Sequence, residues 1–275
     1  MISRRDVLLI AGTGLAGQGL LAQAGFDHSH GAWTQLLTRH VVLLNDSRAS
    51  QVRYAGMVTD RANLKRYLQS LSLVEQTMFD TWSPAQQQAF LINAYNAFTV
   101  ELILSRYPNL KSIKDLGSFV SSPWKLQWIA LLGRKLSLDE IEHGLLRKPG
   151  AYDEPRVHFA LNCASVGCPM LREEAYVENR LELQLSQQTQ RFMSDRSRNH
   201  WNHPAARLEL SKIFDWYGKD FRQGYKGIAS LEAFAASHAD QLADAPTDRA
   251  QLRSGRFEIA FLDYDWSLND AARAS

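Results

Sequence analysis

The chain has 275 residues, 45% of them hydrophobic and 22% charged, an ordinary globular balance that excludes extensive disorder. With 31 Lys and Arg against 29 Asp and Glu, the net charge of +2 gives no field to hold a nucleic acid or an anionic membrane surface. At this length one domain with its own core is the expectation.

Residues 1–24 read as an export signal. Arg4 and Arg5 precede an apolar stretch from Val7 to Leu21, and Ala22-Gln23-Ala24 forms a small-x-small cleavage pattern, so the mature chain would begin at Gly25. Ser3 to Leu9 resembles the twin-arginine signal, with Val7 where that pattern prefers Phe; the general secretory route and an uncleaved anchor are the alternatives. A periplasmic location follows from this reading, and there a nearby pair of thiols tends to be oxidised. After this segment no apolar run approaches the ~20 residues that span a bilayer, so no transmembrane span is expected in residues 25–275.

Apolar residues recur at helical spacing from Trp33 to Leu44 and from Ala62 to Leu73, with Val52-Arg53-Tyr54 as a short strand between them. Ser83-Pro84-Ala85-Gln86 opens the clearest helix: Ser83 caps it, Pro84 suits its first position, Gln86 completes a capping box, and Pro108 stops it after about Arg106. Because Leu91, Ala94, Tyr95, Phe98 and Leu102 fill one face and Phe90, Ile92, Ala97, Val100 and Ile103 fill most of the rest, this helix should be central and buried. Gly133 to Lys135 look like a turn, and Ser137-Leu138-Asp139-Glu140 is a second capping box opening a helix that ends near Arg147.

Arg156 to Asn162 alternates as a strand, with Val157, Phe159 and Leu161 on one face and Arg156, His158, Ala160 and Asn162 on the other. A helix from Glu173 to Met193, a strand at Arg207–Leu210, helices at Ile213–Phe221 and Ser230–Leu242, and a strand at Arg256–Leu262 complete the pattern. No repeat or linker interrupts it. The expectation is an α+β fold: a helix-rich single domain with a small β-sheet and a buried central helix.

Five ordered segments resemble the family known as domain of unknown function 547. They are Phe90 to Ala97, Leu136 to His143, Arg156 to Cys163, Cys168-Pro169 and Leu210 to Tyr217. Phe26-Asp27-His28-Ser29-His30 also resembles the start of exported bacterial members. The resemblance implies no settled reaction. It implies an interaction role in plant relatives, where the domain is joined to coiled coils, but this chain carries no such heptads.

From the residues themselves, Cys163 is the sharpest candidate for chemistry. A nucleophilic thiol needs a base or a positive neighbour to hold it as thiolate, and His158 or His143 is the expected base, with Glu142, Asn162 or Asn93 as orienting groups. Glu142 and His143 are helix neighbours that diverge by ~100°, so only one is expected to face a shared site. Asn93 and Asn96, on the buried helix with Tyr95, either line a ligand cleft or brace a loop, since an unpartnered buried amide is costly.

Arg156 either holds an anionic group or locks the fold through Asp153, Glu154 or Asp215. Lys212, Asp215, Trp216 and Tyr217 suggest packing, or else a pocket wall. Cys163 and Cys168 alternatively close a small disulfide loop shaped by Gly167 and Pro169. His28 and His30, with Asp27, could join His158 or His143 around a divalent ion. Three functions therefore stand open: a thiol-dependent hydrolase or acyl transferase, a noncatalytic module binding a small-molecule or protein ligand, and a metal-dependent site. The cofactor, if any, is not legible.

Overall fold

The computed structural model describes residues 25–117 and 122–273, so the export signal expected at residues 1–24 lies outside the described residues. The first helix, α1 (Gly31–His40), buries Trp33, Leu36, Leu37 and His40, one stripe at helical spacing. It ends four residues before the predicted Leu44. Val41 onward leaves the helix for strand β1 (Val41–Leu44), which pairs antiparallel with β2 (Ala49–Val52) across a turn whose Asn45, Asp46 and Ser47 all have positive φ. The strand expected at Val52 to Tyr54 thus lies three residues earlier, and Tyr54 already begins α2 (Tyr54–Thr59).

Helix α3 (Arg61–Ser72) lies where predicted and buries Leu64, Tyr67, Leu68 and Leu71. After the short α4 (Gln76–Phe79) comes the organising element of the fold, α5 (Pro84–Leu104). Its capping box forms as expected, with Ser83 accepting from the Gln86 N–H and Gln86 accepting from the Ser83 N–H. From Gln88 to Leu104 every residue of α5 is buried, as the all-round apolar sequence requires.

A hairpin of β3 (Ile129–Leu131) and β4 (Arg134–Leu136) follows, turning at Leu132-Gly133. Gly133 has a φ of 73°, a conformation costly for a residue with a Cβ. The Ser137/Glu140 capping box then opens not an α-helix but a π-helical turn (Glu140–Leu146), closed by the Arg147 N–H reaching back five residues to the Glu142 carbonyl.

The strand expected at Arg156–Asn162 is absent. Pro155 to Phe159 instead form a 3-10 turn capped by Glu154, which accepts from the Arg156 N–H, and Val157 through Asn162 are buried on all sides. The alternation of apolar and polar residues was a poor guide because the polar members are buried with partners of their own. The helix expected from Glu173 starts only at α6 (Leu181–Met193), after extended chain that Asn93 and Gln184 hold by backbone hydrogen bonds.

The remaining strands form one small sheet, β5 (His200–Asn202), β6 (Arg207–Leu210) and β7 (Glu258–Phe261), in which β5–β6 is antiparallel and β6–β7 parallel. Between them lie α7 (Ile213–Trp216), α8 (Leu231–Ser237), α9 (Ala239–Leu242) and α10 (Pro246–Arg253); the longer helices predicted at Ile213–Phe221 and Ser230–Leu242 are each broken. One core surrounds α5. A second gathers Phe159, Phe192, Phe214, Phe221 and Phe234. The fold is α+β, helix-rich, with a buried central helix and small sheets, as the sequence predicts. Among the described residues no helix is long and apolar enough to cross a membrane.

Candidate active site

Two asparagines of α5 act as brackets for the chain that packs around it. Asn93 donates to the Tyr176 carbonyl at 2.7 Å and accepts from the Tyr176 N–H at 3.0 Å. One turn on, Asn96 donates to the Ala160 carbonyl at 2.9 Å and accepts from the Asn162 N–H at 2.8 Å. A primary amide is one of the few side chains that can satisfy a buried backbone donor and acceptor at once. Asn162 spans the next loop in the same way, donating to the Pro169 carbonyl and accepting from the Ala164 N–H. Asn96 and Asn162 therefore position the Cys163–Cys168 segment, while Asn93 holds the chain at Tyr176 beyond it.

The C-terminal segment covers this loop. The Val166 and Gly167 N–H groups donate to the Ser267 and Asp265 carbonyls, each at 2.8 Å, and Asn269 N–H donates to the Ala164 carbonyl. At Gly167 a Cβ would stand 2.9 Å from the Asp265 nitrogen, so only glycine permits this approach. The approach brings the Tyr264 hydroxyl to 3.1 Å from the Cys163 sulfur, with Ser165 Oγ at 3.6 Å.

Cys163 and Cys168 stand as free thiols in this structure, not bridged to each other. The Cys168 sulfur accepts the Cys163 N–H at 2.9 Å, and its own S–H points toward the Leu161 carbonyl at 3.5 Å. Contact with the Cys168 thiol, joined by hydrogen bonds with Tyr264 and Ser165, brings the Cys163 thiol down to a pKa of about 7 against the opposing effect of burial. Burial pushes Cys168 up, so of the two sulfurs Cys163 carries the thiolate.

Cys163 lines a cleft of about 300 Å³ whose walls also include Glu142, His143, His158 and Tyr95. Both Glu142 and His143 reach it, where divergence on a helix suggested only one would. Glu142 is buried against the Tyr217 hydroxyl, while His143 is exposed at 40% of its side chain and sits 3.4 Å from Asp139. The wide π-helical turn carries both, a distortion common at functional sites.

His158 is held on two sides. Its Nε2 lies 2.8 Å from Asp220 and its ring stacks on Tyr217 at 3.9 Å between centroids. Burial lowers its pKa, the Asp220 bond only partly opposing, so near neutrality the imidazole is neutral with Nδ1 as its basic nitrogen. Burial would raise Asp220, but bonds from His158 and Arg147 hold it below the usual carboxylate range. Among the described residues no histidine hydrogen-bonds to Cys163; both candidate bases share its cleft instead.

Other expected site residues lie elsewhere. Arg156 is bound by Glu154 at 2.6 Å, by both oxygens of Glu182 and by Ser186, so it locks the fold and offers no free group to an anion. The metal grouping does not assemble. His30 bonds Tyr67 through Nδ1 at 2.7 Å, His28 packs edge-on against Trp82 at 4.4 Å, and among the described residues no three His, Cys, Asp or Glu side chains are grouped to hold an ion.

The sequence reading missed Trp124, Asp220, Tyr264 and Trp266. Asp220 carried no signal, whereas the aromatic run Tyr264-Asp265-Trp266 after the last strand did.

Residues 79–193 match the family model described as "Protein of unknown function, DUF547". This segment of the chain is similar to the DUF547 family. No curated protein and no solved structure matches it. The DUF547 segment supplies Tyr95, Glu142, His143, His158 and both cysteines. Trp216, Tyr217, Asp220, Tyr264 and Trp266, from beyond the matched residues, complete the cleft and its support.

Proposed function

We propose that this protein is a thiol-dependent acyl-transfer enzyme, a hydrolase or acyl transferase, with Cys163 as nucleophile. One observation carries the reading: the Cys163 sulfur stands on the wall of a cleft that also gathers His158 from its own stretch of chain and Glu142 and His143 from another. Cys163 Sγ attacks the carbonyl carbon of an ester, thioester or amide, forming a thioester with the enzyme. A histidine takes the Cys163 S–H proton as the sulfur attacks and passes it to the leaving group as that group departs. The same histidine then takes a proton from water or a second acceptor, whose oxygen or nitrogen attacks the thioester and releases the acyl group, and the proton returns to the Cys163 sulfur. His158 is the first histidine to assign to this role, because Asp220 fixes its ring and tautomer; His143 is the second.

The test combines a panel of p-nitrophenyl esters and acyl thioesters with the pH profile of iodoacetamide alkylation. Alkylation of Cys163 should have its midpoint near pH 7, following the thiolate, rather than at the ~8.5 of an unperturbed cysteine. Cys163→Ala should abolish turnover. Full turnover by that variant, or an unperturbed midpoint, sinks the assignment.

A noncatalytic ligand-binding cleft is the second reading, favoured by the absence of a histidine bonded to Cys163 among the described residues. It expects Cys163→Ala to keep ligand binding while no substrate of the panel turns over.

The chain is further proposed to act in the periplasm, on the strength of Arg4-Arg5, the apolar stretch after them and Ala22-Gln23-Ala24. Intact mass of the natively exported protein, alkylated without reduction, tests this: a chain beginning at Gly25 with two alkylated thiols is expected. A bridged pair contradicts the thiolate chemistry, and a retained leader contradicts cleavage.

A further inference from the structure

We infer that the cleft selects ligands bearing a cationic nitrogen, a primary or quaternary ammonium group held by its aromatic wall and its carboxylates. This deepens the acyl-transfer reading by naming the substrate or acceptor class, but the binding itself does not require Cys163.

The aromatic wall is the first observation. Tyr264 and Trp266 pack at 4.5 Å, Trp216 and Tyr264 at 4.9 Å, Trp216 and Trp266 at 5.6 Å, and Trp124 stands edge-on to Trp266 at 5.8 Å. All four line the cleft, and Trp216 remains 45% exposed. The exposed Trp216 ring and the half-buried rings beside it present negative π faces, and a cation is what those faces attract.

The second observation is charge. Among the described residues the charged side chains lining this cleft are Asp139 and Glu142, joined by titratable His143 and His158 and the two thiols, with no Lys or Arg among them. Cations beside the lining are already engaged: Lys114 sits over Trp266 at 3.6 Å, Arg147 lies over Tyr217 at 4.8 Å while paired with Asp220 at 2.7 Å, and Arg198 pairs with Asp195 and the Val166 carbonyl. The chain thus seats its own cations on two rings of this lining. An anionic ligand would meet two carboxylates with no free partner, a neutral one would gain no electrostatic attraction, and an ammonium would meet both favourable surfaces.

The test uses Cys163→Ala protein, tryptophan fluorescence and calorimetry, with choline, its neutral isostere 3,3-dimethylbutan-1-ol, and butyrate as probes. Choline should bind saturably, the alcohol about two- to thirtyfold more weakly, and butyrate not at all. Trp216→Leu and Asp139→Asn, both at partly exposed positions, should each weaken choline while leaving the alcohol unchanged, with circular dichroism confirming the fold. Equal binding of choline and the alcohol, tighter binding of butyrate, no saturable choline binding, or two variants that bind choline as tightly as the parent would each overturn the inference. Ester turnover is measured separately on the unsubstituted protein. A protein that binds choline yet turns over nothing loses the catalytic reading and keeps this one.

Discussion

Replacing Asn96 by leucine tests whether the amide brackets of the central helix hold the Cys163 loop in place. Leucine has the same number and branching of side-chain heavy atoms as asparagine, though its methyl groups are bulkier, so the change removes hydrogen bonds without opening a cavity. Asn96 serves the Ala160 carbonyl and the Asn162 N–H, both on buried residues. A buried backbone group left unsatisfied costs about 1–3 kcal/mol, so the pair should cost about 2–6 kcal/mol, a large share of a typical domain's 5–15 kcal/mol. Urea denaturation at pH 7 measures the loss.

The control is Asn93→Leu, which strands the Tyr176 N–H and carbonyl and should cost a similar amount. The two variants should separate in a second assay. Only Asn96 holds the chain entering Cys163, so only Asn96→Leu should slow alkylation of native Cys163 at pH 7. If the thiol returns from about 7 toward its unperturbed ~8.5, the thiolate fraction falls by up to about 16-fold. A destabilisation below about 0.5 kcal/mol for Asn96→Leu, or equal slowing by both variants, would refute the reasoning.

Two further outcomes follow from buried charge. Burial lowers His30 to a pKa of about 4 from its ordinary 6.5, so the unfolded chain takes up the proton first as pH falls, and stability is lost as pH drops from about 6.5 toward 4. His30→Gln should remove about 2 kcal/mol of the stability difference between pH 7 and pH 5 in urea titrations, and an unchanged pH dependence would contradict it. Arg156→Met should cost about 3 kcal/mol, the low end for breaking a buried pair, because Lys226 stays 3.6 Å from the stranded Glu154. Stability within about 0.5 kcal/mol of the parent would show that Glu154 finds another partner.

Elements whose information is local were legible in the sequence. Helix α5 was read nearly to its ends, since its cap, its first proline and its all-round apolar composition act within one stretch of chain. Strands β6 and β7 were recovered for the same reason. The short hairpins β1–β2 and β3–β4 were not, because a strand of three or four residues holds too few apolar positions to show a period and exists through its pairing partner. The segment from Pro155 to Asn162 misled most. Its alternation fits a strand, yet His158 and Asn162 are buried with partners 62 and 7 residues away, which no local pattern encodes.

The candidate site divides along the same line. Cys163, His158, His143 and Glu142 were legible in the sequence as side chains capable of chemistry, and the central helix as one bearing amides in need of partners. Tertiary structure decided their company. It turned the brackets of Asn93 and Asn96 inward, committed Arg156 to Glu154 and Glu182, kept His28 and His30 out of any metal-sized grouping among the described residues, and laid the C-terminal chain across Gly167 so that Tyr264 meets the Cys163 sulfur. Residue identity fixes what a group can donate, accept or titrate. Its partners come from chain far away, and the position of that chain is set by the burial of cores that no short stretch of sequence contains.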